Sequence, residues 1–327
     1  MPHSIEIGSD SKKNERFQSD KLFRRQFFQQ DAVRHLAWLV SAPPLLEDSM
    51  PDAVHLPWPE DVMARLDALD QAPEPLLQAL AQRNNRRLGL YFECLYRFAL
   101  ESLLGCEVLA HGLAIRQQGQ TLGELDFILR LGRQIHHHEI AVKFYLGWTP
   151  TAAGQRAAGW YGPDTRDQLA RKLAHLRERQ IPLAHQTATA ETLRAQAIPQ
   201  PQVSSIGLFG YLFENPNVPS PPLPAGVHPR YNRGHWYPLA EARALLTDSP
   251  QPGDWLPLFK PNWLGPLQLA SLAPEEARKQ RELALQRIAA RQHPMLFARM
   301  GYSEDGEFRV EEERCFVTPD AWPGTTP

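Results

Sequence analysis

Carboxylates and a lysine stand inside the most apolar stretch of the chain, GELDFILRLGRQIHHHEIAVKFYLGW at positions 123–148. Asp126 sits among Leu125, Phe127, Ile128 and Leu129, and Glu139 and Lys143 share a run of aliphatic and aromatic residues. Burying charge is costly unless it is paired, hydrated or bound to a metal. Clustered carboxylates beside a lysine suit metal-assisted phosphodiester hydrolysis. Hard oxygen ligands hold Mg²⁺, which keeps several waters and accepts phosphate oxygens at open positions. The ion acidifies a bound water and offsets charge on the phosphate, and a lysine nearby meets the same charge.

Strand alternation puts Glu124 and Asp126 on one face of the first segment. In the second, His137, Glu139, Ala141 and Lys143 share a face, and His138, Ile140, Val142 and Phe144 share the other. A tight turn at Gly132-Arg133-Gln134 pairs the two strands, so Asp126 approaches Glu139 or Lys143 according to register. Of the three histidines at 136–138, only His136 and His138 could share a metal. A structural zinc needs about four ligands and no second Cys/His cluster exists, so the run reads as a polar strand entry.

The elements that must position these residues follow from periodicity. A helix through DAVRHLAWLV, with Val33, Leu36, Ala37 and Val40 on one stripe, stops at Pro43-Pro44. A short helix starts at Pro59, and a long one is expected from Pro75 to about Leu104 with Leu88, Phe92, Leu95, Tyr96, Ala99 and Leu103 facing a core. Three strands follow as a meander, then a helix over GPDTRDQLARKLAHLRERQ, capped at Asp164 or Thr165, with Leu169, Leu173 and Leu176 as its stripe. A loop at 181–202 leads to a fourth strand, SSIGLFGYLFE. The helical crossover makes that strand return parallel, which implies an α/β core with a mixed sheet. The expected organisation is a disordered tail at 1–20, an N-terminal helical extension at 21–73, an α/β core at 74–215, and a Pro/Trp-rich, loop-rich region at 216–327 packed on the core.

Four segments together resemble an uncharacterised bacterial family known only as a domain of unknown function, DUF1853. They are GELDF, the HHEIAVKFYLG run, the GPDTRDQLARK helix start and RHLAWLVSAPPLL near the N-terminus. That family is in turn similar to the PD-(D/E)XK nuclease-like superfamily, which implies a restriction-endonuclease-like core: a mixed β-sheet flanked by helices. The resemblance implies a catalytic set of Glu93 in YFECLY, Asp126 in GELDF and Lys143 in EIAVK. One position departs from the superfamily pattern: Ala141 stands two residues before Lys143, where an acid is usual. Glu139 lies on the same face about 7 Å away along the strand and is the candidate for a migrated carboxylate. The implied cofactor is Mg²⁺ or Mn²⁺ on Asp126, Glu139 and Glu93, and the implied partner is nucleic acid, met by Lys172 and Gln168; Arg86 and Arg87, with Arg83, form one of the densest basic runs and add candidate contacts to its backbone.

Simpler readings stand beside these. Glu93 has Arg97 one turn on and fits a surface ion pair; Glu124 sits beside a turn and fits a solvated carboxylate. Gln168 and Lys172 fit an exposed helix face, and Lys143 fits a lysine whose amine reaches out at a sheet edge. Three functions follow: a metal-dependent phosphodiesterase, a catalytically inactive nuclease-fold protein that binds nucleic acid or a protein partner, and an interaction protein using the C-terminal region.

The bulk numbers exclude little. The 327 residues carry 35 basic and 37 acidic side chains, net −2, so no overall field advertises a polyanion, although a local basic patch would suffice. Three cysteines without metal-type spacing suggest a reducing compartment. No apolar run is long enough to span a bilayer and no leader-type segment is evident, so a cytoplasmic protein without a membrane role is expected.

Overall fold

In the computed structural model the described residues are 27–47, 49–53, 56–81, 87–247 and 255–324. The expected tail at 1–20, and Arg83 and Arg86, lie outside them. Three helices come first: α1 (Asp31–Ser41), α2 (Val62–Gln71) and α3 (Glu74–Ala81). After α4 (Leu88–Phe98), continued by a π-helical turn at Ala99–Leu103, come β1 (Glu107–Gln117), β2 (Gln120–Leu131), β3 (Gln134–Trp148) and the short β4 (Gly159–Tyr161). Then follow α5 (Leu169–His175), a second π-helical turn at Leu176–Gln180, α6 (Ile181–Leu183), α7 (Thr187–Ala195) and β5 (Val203–Glu214). The chain ends with β6 (Asn232–Pro238), α8 (Leu239–Thr247), β7 (Trp255–Leu258), β8 (Gln268–Leu269), α9 (Pro274–Arg291), β9 (Met295–Tyr302) and β10 (Arg309–Thr318).

The strands form one mixed sheet in the order β1-β2-β3-β5-β6-β10-β9-β7, with β4 on β3 and β8 on β10. The β1-β2-β3 meander is antiparallel, β3, β5, β6 and β10 run parallel to one another, and β10, β9 and β7 are again antiparallel. Gln118 and Gly119 both adopt positive φ at the β1–β2 turn, the geometry that matches strand twist in a tight hairpin. The sheet separates two apolar layers. On one face Ile140, Phe144, Phe209 and Phe213 pack with α1 and α4 through Val33, Leu36, Phe92 and Tyr96. On the other, Tyr145, Leu208 and Leu212 meet the stripe Leu169, Leu173 and Leu176.

Four local expectations change. The single helix from Pro75 to Leu104 is instead α3 and α4, with Arg87 extended between them, so the helix restarts at Leu88. The helix after β4 begins at Leu169; Gln168 takes the capping position without a side-chain bond, and Asp164 binds Arg166 instead. The 181–202 loop contains two helices, α6 and α7, because Leu183, Ala184, Ala188 and Leu193 cover Ile115 and Ile128. The C-terminal region is not loop-rich: its prolines fall largely between elements, and its aromatics supply strands that extend the sheet past β5. Trp236, Trp255 and Phe316 are buried there.

Candidate active site

The β2–β3 ladder runs from Leu131↔Gln134 to Phe127↔His138 and ends there. Beyond it β2 stays paired with β1 as far as Gln120, while β3 continues beside β5. The strands therefore fork, and Asp126 and Glu139 are the first residues past the last rung. Their side chains take over the ladder's hydrogen bonds. Asp126 Oδ2 accepts the Ile140 N–H at 2.9 Å, and the Asp126 N–H donates to Glu139 Oε1 at 3.2 Å. Polar residues are needed at this point because backbone groups leaving a ladder must find other partners.

Glu139 is fully buried. Its Oε1 also meets His137 Nε2 at 2.7 Å, and its Oε2 accepts a short hydrogen bond from the Gln180 carboxamide. The other side of that carboxamide, Oε1, accepts from Lys172 Nζ at 3.2 Å. Lys143 lies on the same face of β3 but turns to Asp167, whose Oδ2 is 2.6 Å from its amine; Tyr145 OH donates to Asp167 Oδ1 at 2.9 Å. Gly210 of β5 is paired with Lys143, and a Cβ there would fall 1.7 Å from the Lys143 carbonyl oxygen. Only glycine lets β5 pass this close and fix the lysine's backbone.

The charges at the fork do not balance. Burial first, then Glu139 and Glu93, push the Asp126 carboxyl up to about 8. Burial and the nearby Lys143 lower Lys172, while Asp126, Glu139 and Asp167 draw it back up. Lys172 thus lies where the charges of all three carboxylates reach it. The Glu93 charge acts on Asp126 from α4, in the opposite layer.

The structure thus gathers Glu93, Asp126, Glu139, Lys143 and Lys172 around one fork. Gln168 is half-buried, bridging by its backbone to Tyr161, and Arg87 is exposed at the start of α4. Glu124 is exposed, as a solvated carboxylate should be. Arg97, expected beside Glu93, donates to Glu101. The histidine run is not a polar entry: His137 and His138 are buried, and His138 joins Tyr96 OH at 2.7 Å and Ser205 Oγ at 2.9 Å. Burial is possible because each ring nitrogen finds a partner.

Two residues here escaped the sequence reading. Asp167 belongs to the GPDTRDQL motif, two residues before a buried leucine, a spacing that gave no hint of its tie to Lys143. Gln180 had a visible signal: it continues the stripe Leu169, Leu173, Leu176 at the next helical step, so a polar amide falls where an apolar side chain is due.

Among the described residues no three His, Cys, Asp or Glu side chains form a ready metal group. Mg²⁺ ordinarily takes one or two carboxylates and completes its shell with waters and phosphate oxygens. Asp126 with Glu139, and Glu93 behind them, meets that lesser requirement. Burial, and after it the Glu139 charge, raise the Asp126 carboxyl, and a bound cation would favour its ionised form against both.

Among the described residues no helix is long and apolar enough to cross a membrane. The sequence model of a family described as a domain of unknown function, DUF1853, matches residues 34–318. Comparisons with curated proteins and with solved structures each find no match.

Proposed function

We propose that this chain, which belongs to the DUF1853 family, is a metal-dependent phosphodiesterase acting on nucleic acid in the cytoplasm, with a nuclease-like PD-(D/E)XK core. The observation that carries the reading is the fork. The charges of Glu139 and Glu93 both act on Asp126 where β2 and β3 part, and those of Asp126 and Glu139 reach Lys172, which Lys143 also faces. The element order α4-β1-β2-β3-α5-β5 supports the core, since it brings helix glutamate, strand aspartate and strand lysine to one place.

Asp126 and Glu139 would hold Mg²⁺, with Glu93 assisting from α4. A bound Mg²⁺ supplies an acidified water and charge neutralisation at the phosphate. Asp126 is oriented by the bond that ties its Oδ2 to the Ile140 N–H. His137 holds the Glu139 carboxylate in a fixed rotamer. Lys143, kept in place by Asp167, meets charge on the phosphate, and Lys172 provides a second ammonium.

A second reading has its own observation. Glu139 is buried and already engages three donors, and Ala141 occupies the usual acid position. That arrangement suits a nuclease-fold protein that binds nucleic acid or a protein partner without cleaving. The deciding experiment is calorimetric titration of Mn²⁺ and Mg²⁺ into wild type and Asp126→Ala, paired with cleavage assays on single- and double-stranded DNA and RNA. The hydrolytic reading expects metal binding and cleavage, both lost in Asp126→Ala. Metal binding with no cleavage on any substrate, or no metal binding at all, moves the protein to the second reading.

A further inference from the structure

Gln180 occupies a special place at the fork. It ends a π-helical turn, an irregularity that recurs at functional sites. Its carboxamide makes two bonds at once: Nε2 donates to Glu139 Oε2, and Oε1 accepts from Lys172. One neutral group therefore caps a carboxylate oxygen that a cation would need and restrains an amine that a phosphate would need. A carboxamide carries no net charge, so it satisfies Glu139 as a hydrogen-bond acceptor without offsetting the negative charge at the fork. A cation does both, and the flexible glutamine side chain can yield to it.

Resting on the hydrolytic reading above, we propose that Gln180 is the gate of the site. It holds Glu139 and Lys172 together in the cation-free protein and releases both when a divalent cation and a substrate phosphate enter. Release turns Glu139 Oε2 towards the cation and frees the Lys172 ammonium to contact the phosphate. Gln180 is thus a positioning residue that sets cation affinity, and Lys172 is the phosphate contact it restrains.

The test is Mn²⁺ calorimetry on the full chain as wild type, Gln180→Leu and Gln180→Ala, with Asp126→Ala as the control. Leucine continues the stripe of Leu169, Leu173 and Leu176 and preserves packing; the alanine variant serves if the leucine variant does not fold, judged by a thermal transition without metal. Removing a hydrogen bond to a charged group that competes with the cation should lower the Mn²⁺ dissociation constant about tenfold or more. In ¹⁵N-labelled wild type, the Gln180 side-chain amide signal, assigned by its loss in the variants, should shift on adding Mg²⁺. Wild type that binds Mn²⁺, with both variants binding it more tightly, supports the gate. Wild type and variants binding Mn²⁺ equally, or variants binding more weakly, would overturn the gate and leave the hydrolytic reading standing. If no form binds Mn²⁺, the hydrolytic reading falls and the gate with it.

Discussion

Two buried charge clusters lie in the same sheet and are built on opposite terms. At Arg314 of β10, 3% exposed, every need is met: the guanidinium binds both oxygens of buried Glu311, donates to the Trp263 and Gly265 carbonyls, and lies 4.0 Å over the Tyr211 ring. Signs are matched one to one. At the fork, carboxylate faces carboxylate: Asp126 lies against Glu139 with Glu93 behind, and the nearest lysines are engaged by Asp167 and Gln180. A saturated, matched cluster needs nothing from outside. An unmatched one is the signature of a site that waits for a counter-charge. Glu139 sits between the two styles: it is saturated in hydrogen bonds, yet its direct partners are a backbone N–H, a carboxamide and the His137 ring, and Lys172 reaches it only through Gln180.

The largest effect should come from breaking the matched cluster. Arg314→Met leaves Glu311 buried without its cation, which costs about 3–5 kcal/mol. Urea denaturation should show that loss with an unchanged slope, and Mn²⁺ binding at the fork should survive wherever the variant folds. A loss under about 1 kcal/mol would mean that the Arg314 cluster is not the structural member of the pair.

Next is Asp126→Asn, with the opposite sign. A carboxyl raised to about 8 in the fold binds its proton more tightly than in the unfolded chain, where it titrates near 4. Folded protein therefore holds more protons between those values, and stability falls as pH rises from about 4 to about 8. Asparagine keeps an oxygen for the Ile140 N–H and cannot ionise. The variant should gain several kcal/mol on wild type as pH rises from 4.5 to 8.5, since each unit by which the carboxyl is raised is worth about 1.4 kcal/mol. Equal pH profiles from urea midpoints would show that the fork is not charge-frustrated, and the contrast with Arg314 would dissolve.

Lys143→Met separates function from stability more finely. The lysine is about one-quarter exposed and its Asp167 partner somewhat more. The lost pair should cost under about 1 kcal/mol. If the fork hydrolyses phosphodiesters, cleavage should drop about 100-fold or more, since the removed ammonium acts on developing charge. Cleavage retained with Lys143→Met would take that residue out of the site.

How much of this was legible beforehand depends on whether a residue's meaning is local. Asp126 was readable because four apolar neighbours made its burial certain and its charge conspicuous. The face shared by Glu139 and Lys143 was readable from strand alternation, and the tight turn at Gly132 narrowed the register. The Lys143–Asp167 tie was not, because the two stand 24 positions apart, across the end of β3, β4 and a loop, and no local pattern joins them. The break at Arg87 was missed because an apolar stripe continues on both sides of it. His137 and His138 looked polar because their partners, Ser204, Ser205 and Tyr96, come from β5 and α4. Long-range pairing decides such cases, and a single strand does not contain it.

The smallest expected effect is the sharpest check on the contrast, because it concerns a pair that looks strong by geometry alone. Arg166 binds Asp164 through its Nε and Nη2 at distances down to 2.7 Å, and its backbone N–H adds a bond to Oδ1. Those hydrogen bonds hold the Asp164 carboxyl down at about 2. Yet the arginine side chain is 90% exposed and the aspartate 50%. Water and salt screen such a pair, and ordering two mobile side chains offsets most of what remains. Arg166→Gln should leave the thermal midpoint, the Mn²⁺ affinity and any cleavage rate at wild-type values, in low salt and in high. The pair is two residues from Asp167, which engages Lys143, so indifference here would show that the fork's balance does not extend along the loop. A clear drop in midpoint would mean that hydrogen-bond geometry, rather than burial and unmatched sign, governs what charge does in this protein.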